Sequence, residues 1–146
     1  VRIQNSYSSG TDNDFKIMTY SDAGELVSNL LTIKTNSGFT GIATTTPNSM
    51  LQVVGSFATA YTVTTTNFTF DATMSNVEVT TSSVVGTLPS ASGLNGREYT
   101  LINASSGNIT ASSTSIIGNT GTDTTLTIGS GNAQTFISNG TVWRLK

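Results

Sequence analysis

The chain contains neither cysteine nor histidine, and these two absences exclude several classes of functional site. Without cysteine the protein has no disulfide and no thiolate ligand for a metal. Without histidine it lacks the side chain whose free pKa lies nearest neutrality, which excludes most zinc sites and most general-base machinery. We therefore expect no metal site and no cofactor.

Charge is also scarce. Charged residues make up 10% of the 146 residues and the formal net charge is -2, whereas about 25% is usual for soluble domains. The six Lys and Arg are scattered from Arg2 to Lys146, so no basic patch is available for a nucleic acid. No run of about 18 apolar residues is present to span a bilayer. We expect no nucleic-acid partner and no membrane insertion.

Hydroxyl side chains supply the polarity instead, because Ser and Thr make up about a third of the chain. Disorder requires low hydrophobicity together with high net charge, whereas Val, Ile, Phe and Tyr recur regularly here. Apolar and polar residues alternate in Tyr61-Thr64, Phe68-Asp71 and Val77-Thr80, as in half-buried strands. The pattern predicts an all-β protein.

Further strands are predicted at 97–103, 108–112, 124–128, 133–138 and 141–146, and their spacing favours a β-sandwich-like or barrel-like arrangement. Asn139-Gly140 predicts a type I′ hairpin, because both central positions of that turn require positive φ. The turns at 105–108 and 129–132 predict two more hairpins, hence a C-terminal meander. No repeat of fixed period is evident, which disfavours a solenoid.

The first 35 residues show short strands and polar turns. An alternative remains, since Leu26, Val27, Leu30 and Leu31 also have the spacing of a short helix. Stronger alternation begins after residue 57. We therefore predict two domains, a shaft or neck segment at 1–57 and a β-rich C-terminal head at 58–146.

Residues 38–55 read GFTGIATTTPNSMLQVVG, which resembles the segment G-[IV]-G-T-T-x-P-x-x-x-L-x-V-x-G of bacteriophage and phage-like tail fibres. The stretches TLPSA at 87–91, GREYTLIN at 96–103 and NGTVW at 139–143 are similar to motifs of β-rich fibre heads, in the same order. Ala43 departs from the pattern, which prefers Gly there. The resemblance covers most of the chain.

The resemblance implies an intertwined homotrimeric shaft or neck followed by a head, located in a virion tail fibre or an extracellular phage-like particle. The implied function is receptor binding, with a bacterial surface polysaccharide or protein as partner and no enzymatic activity. Ile42, Leu51 and Val53 are the predicted trimer core. Ordering a residue costs about 1.5 kcal/mol while burying a large aliphatic returns about 1.5 to 3 kcal/mol, so these isolated residues need contacts from other copies.

Candidate ligand-binding residues lie in a polar stretch at 115–125, namely Asn119, Thr120, Thr122 and Asp123. Such a loop at a fibre tip could hold sugar hydroxyls, although a mere connecting loop is equally consistent. Trp143 could form an aromatic platform with Tyr99 and Tyr61, but its apolar neighbours favour a place in the core or an interface.

No catalytic residue is assigned. Asp12 and Asp14 are interpreted as a solvated turn, and Glu98 as a member of a surface or intersubunit ion pair. A purely structural fibre segment and a glycan depolymerase remain as alternatives. An ice-binding Thr face is disfavoured, because the Thr-x-Thr pieces do not recur in register along the sequence.

Overall fold

The computed structural model describes the backbone of residues 2–5, 14–118 and 121–146, and the side chains of residues 14–114, 116 and 123–146. Contacts within the chain divide it into an N-terminal unit, residues 1–58, and a C-terminal unit, residues 59–146. Every regular element in the described residues is a β-strand, so the protein is all-β. No helix long and apolar enough to cross a membrane occurs in them.

The N-terminal unit is one five-stranded sheet with its strands in chain order. Its strands are β1 Arg2–Asn5, β2 Phe15–Tyr20, β3 Leu26–Ile33, β4 Thr40–Ile42 and β5 Leu51–Val53. The first four strands pair antiparallel, and β4 and β5 pair parallel. The helical alternative at 26–31 is wrong, because this segment forms β3 and pairs with strands on both sides.

The C-terminal unit is one sheet of nine strands. They are β6 Tyr61–Thr64, β7 Phe68–Thr69, β8 Asn76–Val79, β9 Val85–Thr87, β10 Glu98–Asn103, β11 Ile109–Gly118, β12 Gly121–Ile128, β13 Ala133–Ser138 and β14 Trp143–Leu145. Their order across the sheet is β6-β8-β10-β13-β14-β11-β9-β7, and β12 pairs with β11 outside this path. The path is open at β6 and β7, so the described strands form no closed barrel.

The chain winds between two groups of parallel strands. β8 pairs parallel with β6 and with β10, and β9 pairs parallel with β7 and with β11. Successive strands of the chain therefore alternate between the two groups. The sequence prediction missed this winding because the pairs Tyr61↔Asn76 and Asn76↔Thr100 differ in sequence separation, which leaves no fixed period.

Two of the predicted hairpins are wrong. The strands on either side of the turn at 105–108, β10 and β11, do not pair with each other, since β10 pairs with β8 and β13. The turn at 129–132 likewise separates β12, which pairs with β11, from β13, which pairs with β10 and β14. The predicted meander is therefore replaced by two separate hairpins, β11 with β12 and β13 with β14.

The last hairpin is confirmed, but its predicted turn type is wrong. Ser138 pairs with Trp143, and Gly140 has φ of 87° whereas Asn139 is not among the residues with positive φ. A type I′ turn needs positive φ at both positions. Asn139 stays at negative φ because its side-chain Oδ1 accepts hydrogen bonds from the backbone N–H groups of Thr141 and Val142, both at 3.0 Å.

The hydrophobic core lies in the C-terminal unit and draws on both groups of strands. Its buried members are Phe70, Val77, Val79, Val84, Leu88, Ala91, Tyr99, Leu101, Ile109, Ala111, Ile116, Ile128, Phe136 and Trp143. Because these side chains form one cluster, the sheet curves around a common core. The Trp143 indole N–H donates to the Pro89 carbonyl at 2.7 Å, and the Tyr99 hydroxyl donates to the Asp71 carbonyl at 2.9 Å.

We expect Leu101→Ala to lower the free energy of unfolding by about 2 to 5 kcal/mol, because it leaves a cavity among packed neighbours. Leu101 is fully buried, whereas the next residue, Ile102, is half-buried. Ile102→Ala is the matched control and should cost distinctly less. Urea unfolding followed by fluorescence of Trp143, the only Trp, measures both at one protein concentration. Equal losses would contradict this account of the core.

Candidate functional site

The sheet of the N-terminal unit has one apolar face. Residues that are direct partners in neighbouring strands lie on the same face, and the register places Ile17, Leu31, Ile42 and Val53 in one row. A second row on the same face consists of Phe15, Ile33, Thr40 and Leu51. We call the seven apolar members of these rows the apolar face. It contains all three predicted core residues, Ile42, Leu51 and Val53.

The described residues leave part of the apolar face exposed. Ile42 is 38% exposed and Leu51 is 59% exposed, and the other members are half-buried. Among the described residues of this unit, Met18 is the one buried large apolar side chain. Large apolar side chains that are exposed outnumber it, namely Leu26, Val27, Leu30, Ile42, Met50, Leu51, Val54 and Phe57.

The opposite face buries polar groups instead. Asp14 is 1% exposed, and its Oδ2 lies 2.7 Å from the Lys34 ammonium and 3.7 Å from that of Lys16. Thr32, opposite Lys16 in the register, is also fully buried. The prediction of a solvated turn is therefore wrong for Asp14, because two lysines of adjacent strands enclose its carboxylate. Asp12 lies outside the described residues.

The loop that follows β4 packs closely on this polar face. A Cβ at Gly41 would lie 2.7 Å from the Thr44 carbonyl oxygen and 3.5 Å from the Pro47 Cβ, so only glycine fits there. Ala43, where the fibre pattern prefers glycine, has φ of 56°, a conformation that residues with a Cβ rarely adopt. The Gly-Ile-Ala-Thr stretch is therefore a tight backbone turn.

The predicted ligand-binding segment at 115–125 is mostly strand. Asp123 is exposed on β12 and pairs with Ile116 of β11. Thr122 also lies on β12, although its side chain is outside the described set, and Asn119 and Thr120 lie outside the described residues. Register shifts between Ser112 and Ile116, which allows β11 to pair with β9 at one end and with β14 at the other. The long predicted loop is therefore wrong.

The aromatic platform is also wrong, and the preferred interpretation of Trp143 as a core residue is confirmed. Trp143 and Tyr99 are fully buried, with ring centroids 5.3 Å apart, so neither presents a face to a ligand. Tyr61 is exposed. Glu98 forms a surface ion pair with the Lys146 ammonium at 2.6 Å, while the Arg97 guanidinium lies over the Tyr99 ring.

A groove of about 300 Å³ opens where β12 and β13 diverge. Its lining residues are Leu126, Thr127, Ile128, Gly129, Asn132, Ala133 and Gln134, and none of them is charged. A volume near 300 Å³ is at the lower end of the range for ligand pockets. Sequence reasoning missed this groove because the turn at 129–132 was expected to hold the two flanking strands together as a hairpin.

A buried polar network anchors the turn that borders the groove. The Asn103 side-chain amide donates to the carbonyls of Gly107 and Ile128, each at 2.8 Å, and its oxygen accepts from the Ser105 hydroxyl at 2.7 Å. The Asn103 backbone N–H donates to the Asn132 carbonyl. Satisfied buried networks of this kind rigidify their surroundings. The groove wall is therefore held by the core.

Tyr61 and Val63 expose apolar surface on β6, an edge strand. The Tyr61 hydroxyl donates a hydrogen bond to the Glu78 carboxylate on the adjacent strand. This bond favours the protonated phenol, and with the nearby carboxylate charge and desolvation it raises the pKa of Tyr61 above 10.0. Burial likewise raises the pKa of Tyr99.

No group of three or more Asp and Glu residues close enough to hold a metal ion occurs among the described side chains. In comparisons with known proteins, no family model, no curated protein and no solved structure matches the chain.

We expect Glu78→Gln to lower the pKa of Tyr61 toward 10.0, because the substitution removes the carboxylate that favours the phenol. NMR titration of ring-labelled tyrosine, with the signal assigned through Tyr61→Phe, measures the shift. Tyr99 serves as the internal control, since burial is the main cause of its raised pKa. A Tyr61 pKa that stays unchanged would show that the pairing with Glu78 does not persist in solution.

Proposed function

We propose that this protein is a receptor-binding tip of a phage or phage-like tail fibre, which attaches as a homotrimer to a bacterial surface polysaccharide or protein. The exposed apolar face of the N-terminal unit carries this proposal. The likeness of 38–55 and of the three later motifs to tail-fibre segments supplies the type of assembly. The corresponding location is a virion tail fibre or an extracellular phage-like particle.

Covering the apolar face provides the driving force for association. Burial of apolar surface yields about 25 cal/mol per Å², and the face spans four strands, β2 to β5, on which the described residues leave Ile42 and Leu51 exposed. Three copies around an axis bring Ile42, Leu51 and Val53 of each copy toward those of the others, and identical copies form closed symmetric assemblies. The N-terminal unit is then an intertwined neck and the C-terminal unit is a head.

Trimerisation would also allow weak binding sites to attach the protein to a cell surface. A shallow site on one head holds a surface polysaccharide weakly, but three linked sites bind with an avidity that exceeds any single affinity. No chemical step is needed for such attachment. The alternative function, a purely structural fibre segment, is supported by the same apolar face. It differs from the receptor-binding tip because its head would bind no receptor.

We expect size-exclusion chromatography with light scattering to report three chains for the wild-type protein and dissociation for Leu51→Asp. A carboxylate buried at each of three equivalent positions is costly, because an unpaired charge loses its hydration. Asn36→Asp is the matched control, since it adds the same charge at an exposed turn between β3 and β4 and should leave three chains associated.

A wild-type protein that elutes as a monomer, or a Leu51→Asp variant that keeps three chains, would refute the trimer. Binding of fluorescently labelled wild-type protein to bacterial cells separates the two fibre roles. Cell binding that is lost in Leu51→Asp and kept in Asn36→Asp supports a receptor-binding tip. A trimer that binds no cells supports the structural segment.

A further inference from the structure

We infer that an uncharged polysaccharide binds the C-terminal unit across the groove between β12 and β13 and the row of hydroxyl side chains beside it. This inference rests on the proposed adhesive function and narrows it to one surface and one ligand chemistry. The groove borders the end of β12 that is away from Asp123, one of the predicted ligand-binding residues.

Hydroxyl side chains occupy equivalent positions on four neighbouring strands, β7, β9, β11 and β12. We call them the hydroxyl ladder: Thr69, Thr87, Thr110, Ser112, Thr125 and Thr127. In the register Thr69 pairs with Thr87, Thr87 with Ser112 and Ser112 with Thr125, while Thr110 pairs with Thr127. Thr125-Leu126-Thr127 is the one Thr-x-Thr piece in the ladder, and the other members are placed beside it by strands that are far apart in sequence.

The ladder faces away from the core. Its members alternate along the strands with residues that point inward, such as Gly86, Ala111 and Ile109, which are buried. A Cβ at Gly86 would lie 2.9 Å from the Phe68 ring and 3.3 Å from Leu101, which confirms the inward direction of that position. The hydroxyl-bearing residues between these positions are exposed or half-exposed.

The hydroxyls of the ladder are available to a ligand. Among the described residues, no side-chain hydrogen bond involves a ladder hydroxyl. The Thr pair on the other outer surface behaves differently, since the Thr100 and Thr135 hydroxyls bond each other at 2.9 Å. A hydroxyl both donates and accepts, so a free array of hydroxyls complements the hydroxyls of a sugar.

The ladder runs into the groove, because Thr127 belongs to both. Asn132 and Gln134 line the groove, and their side-chain amide nitrogens donate to backbone carbonyls, so their amide oxygens remain available as acceptors. The strand spacing of about 4.8 Å is close to the length of one pyranose unit. A sugar chain laid across the strands can therefore present successive residues to successive hydroxyls.

The lack of charged side chains on this surface indicates the class of polysaccharide that it binds. No groove residue and no ladder residue is charged, and Asp123, two residues from Thr125, adds a negative charge at one margin. An anionic polysaccharide would find no cation there to replace its hydration. The Asn103 network also fixes the groove wall before binding, which reduces the ordering cost of a weak ligand. An uncharged chain therefore fits best.

Affinity electrophoresis in native gels that contain dextran, mannan or galactan tests this inference, with alginate and polygalacturonate as anionic probes. We expect at least one neutral polysaccharide to retard the wild-type protein and neither anionic one to do so. Thr110→Val together with Thr127→Val should weaken retardation about tenfold, since two hydroxyls that contact the sugar are lost.

The matched control is Thr100→Val together with Thr135→Val, a directly opposed Thr pair of an antiparallel strand pair on the other outer surface. Replacing both hydrogen-bond partners with apolar groups of similar shape is nearly neutral for stability, so this variant should bind like the wild type. Light scattering and near-UV circular dichroism must show the same assembly and fold for both double variants.

Equal weakening by the two double variants, retardation by the anionic probes alone, or no retardation by any neutral polysaccharide would each overturn the inference. These outcomes differ from failure of the proposed function. If a trimer binds bacterial cells but no neutral polysaccharide, the proposed adhesive function stands and the ladder and groove are not its binding surface. If the protein is a monomer that binds no cells, the proposed adhesive function itself is refuted.

Discussion

The apolar face of the N-terminal unit is the constraint on which the proposed biology depends. A five-stranded sheet normally buries its apolar side under a second layer, yet here the described residues of the same unit provide no such layer. Among the described side chains of this unit, Met18 is the one large apolar side chain that is buried. Contact of Ile42 and Leu51 with water is unfavourable, and the proposed association of identical copies would remove that cost.

The two units differ in how much of their apolar surface they bury. The C-terminal unit encloses fourteen buried residues in one cluster, so its fold has an internal source of stability. The N-terminal unit buries an ion pair on one side and exposes hydrocarbon on the other. A buried pair such as Asp14 with Lys34 contributes little net stability, because desolvation offsets much of the attraction. The pair joins the residue before β2 to the residue after β3, next to the paired residues Phe15 and Ile33, and so is compatible only with this pairing of the two strands.

The pattern of neighbouring residues in the sequence predicted where the strands lie better than it predicted which strands pair. Alternation of Val, Ile, Phe and Thr gave most strands of the C-terminal unit, and the buried place of Trp143 followed from its apolar neighbours. Turn residues say where a chain reverses, but not beside which strand it returns. At 105–108 the chain leaves β10 and crosses to the other group of strands, where β11 pairs with β9. Such a choice depends on strands far apart in sequence.

The same reasoning explains what could be predicted of the candidate sites. Ile42, Leu51 and Val53 were recognisable because each lies in a short extended stretch with too few neighbours of its own, and the register then placed them on one face. The hydroxyl ladder could not be recognised, since Thr69, Thr87 and Ser112 become neighbours only through parallel pairing across connections of unequal length. Asp123 was identified for its polar surroundings, yet it marks only the margin of that surface.

The contrast between the two surfaces suggests why one chain carries both. Apolar groups gain free energy from leaving water whatever covers them, so the apolar face suits permanent contact with identical copies. Free hydroxyls are already well hydrated, and exchanging water for sugar hydroxyls yields little net energy per contact. A hydroxyl surface therefore suits reversible contact, and it becomes effective only when several copies act together. If the proposed function holds, the neck sets the strength of attachment because it fixes the number of heads, and the uncharged surface of each head sets its selectivity.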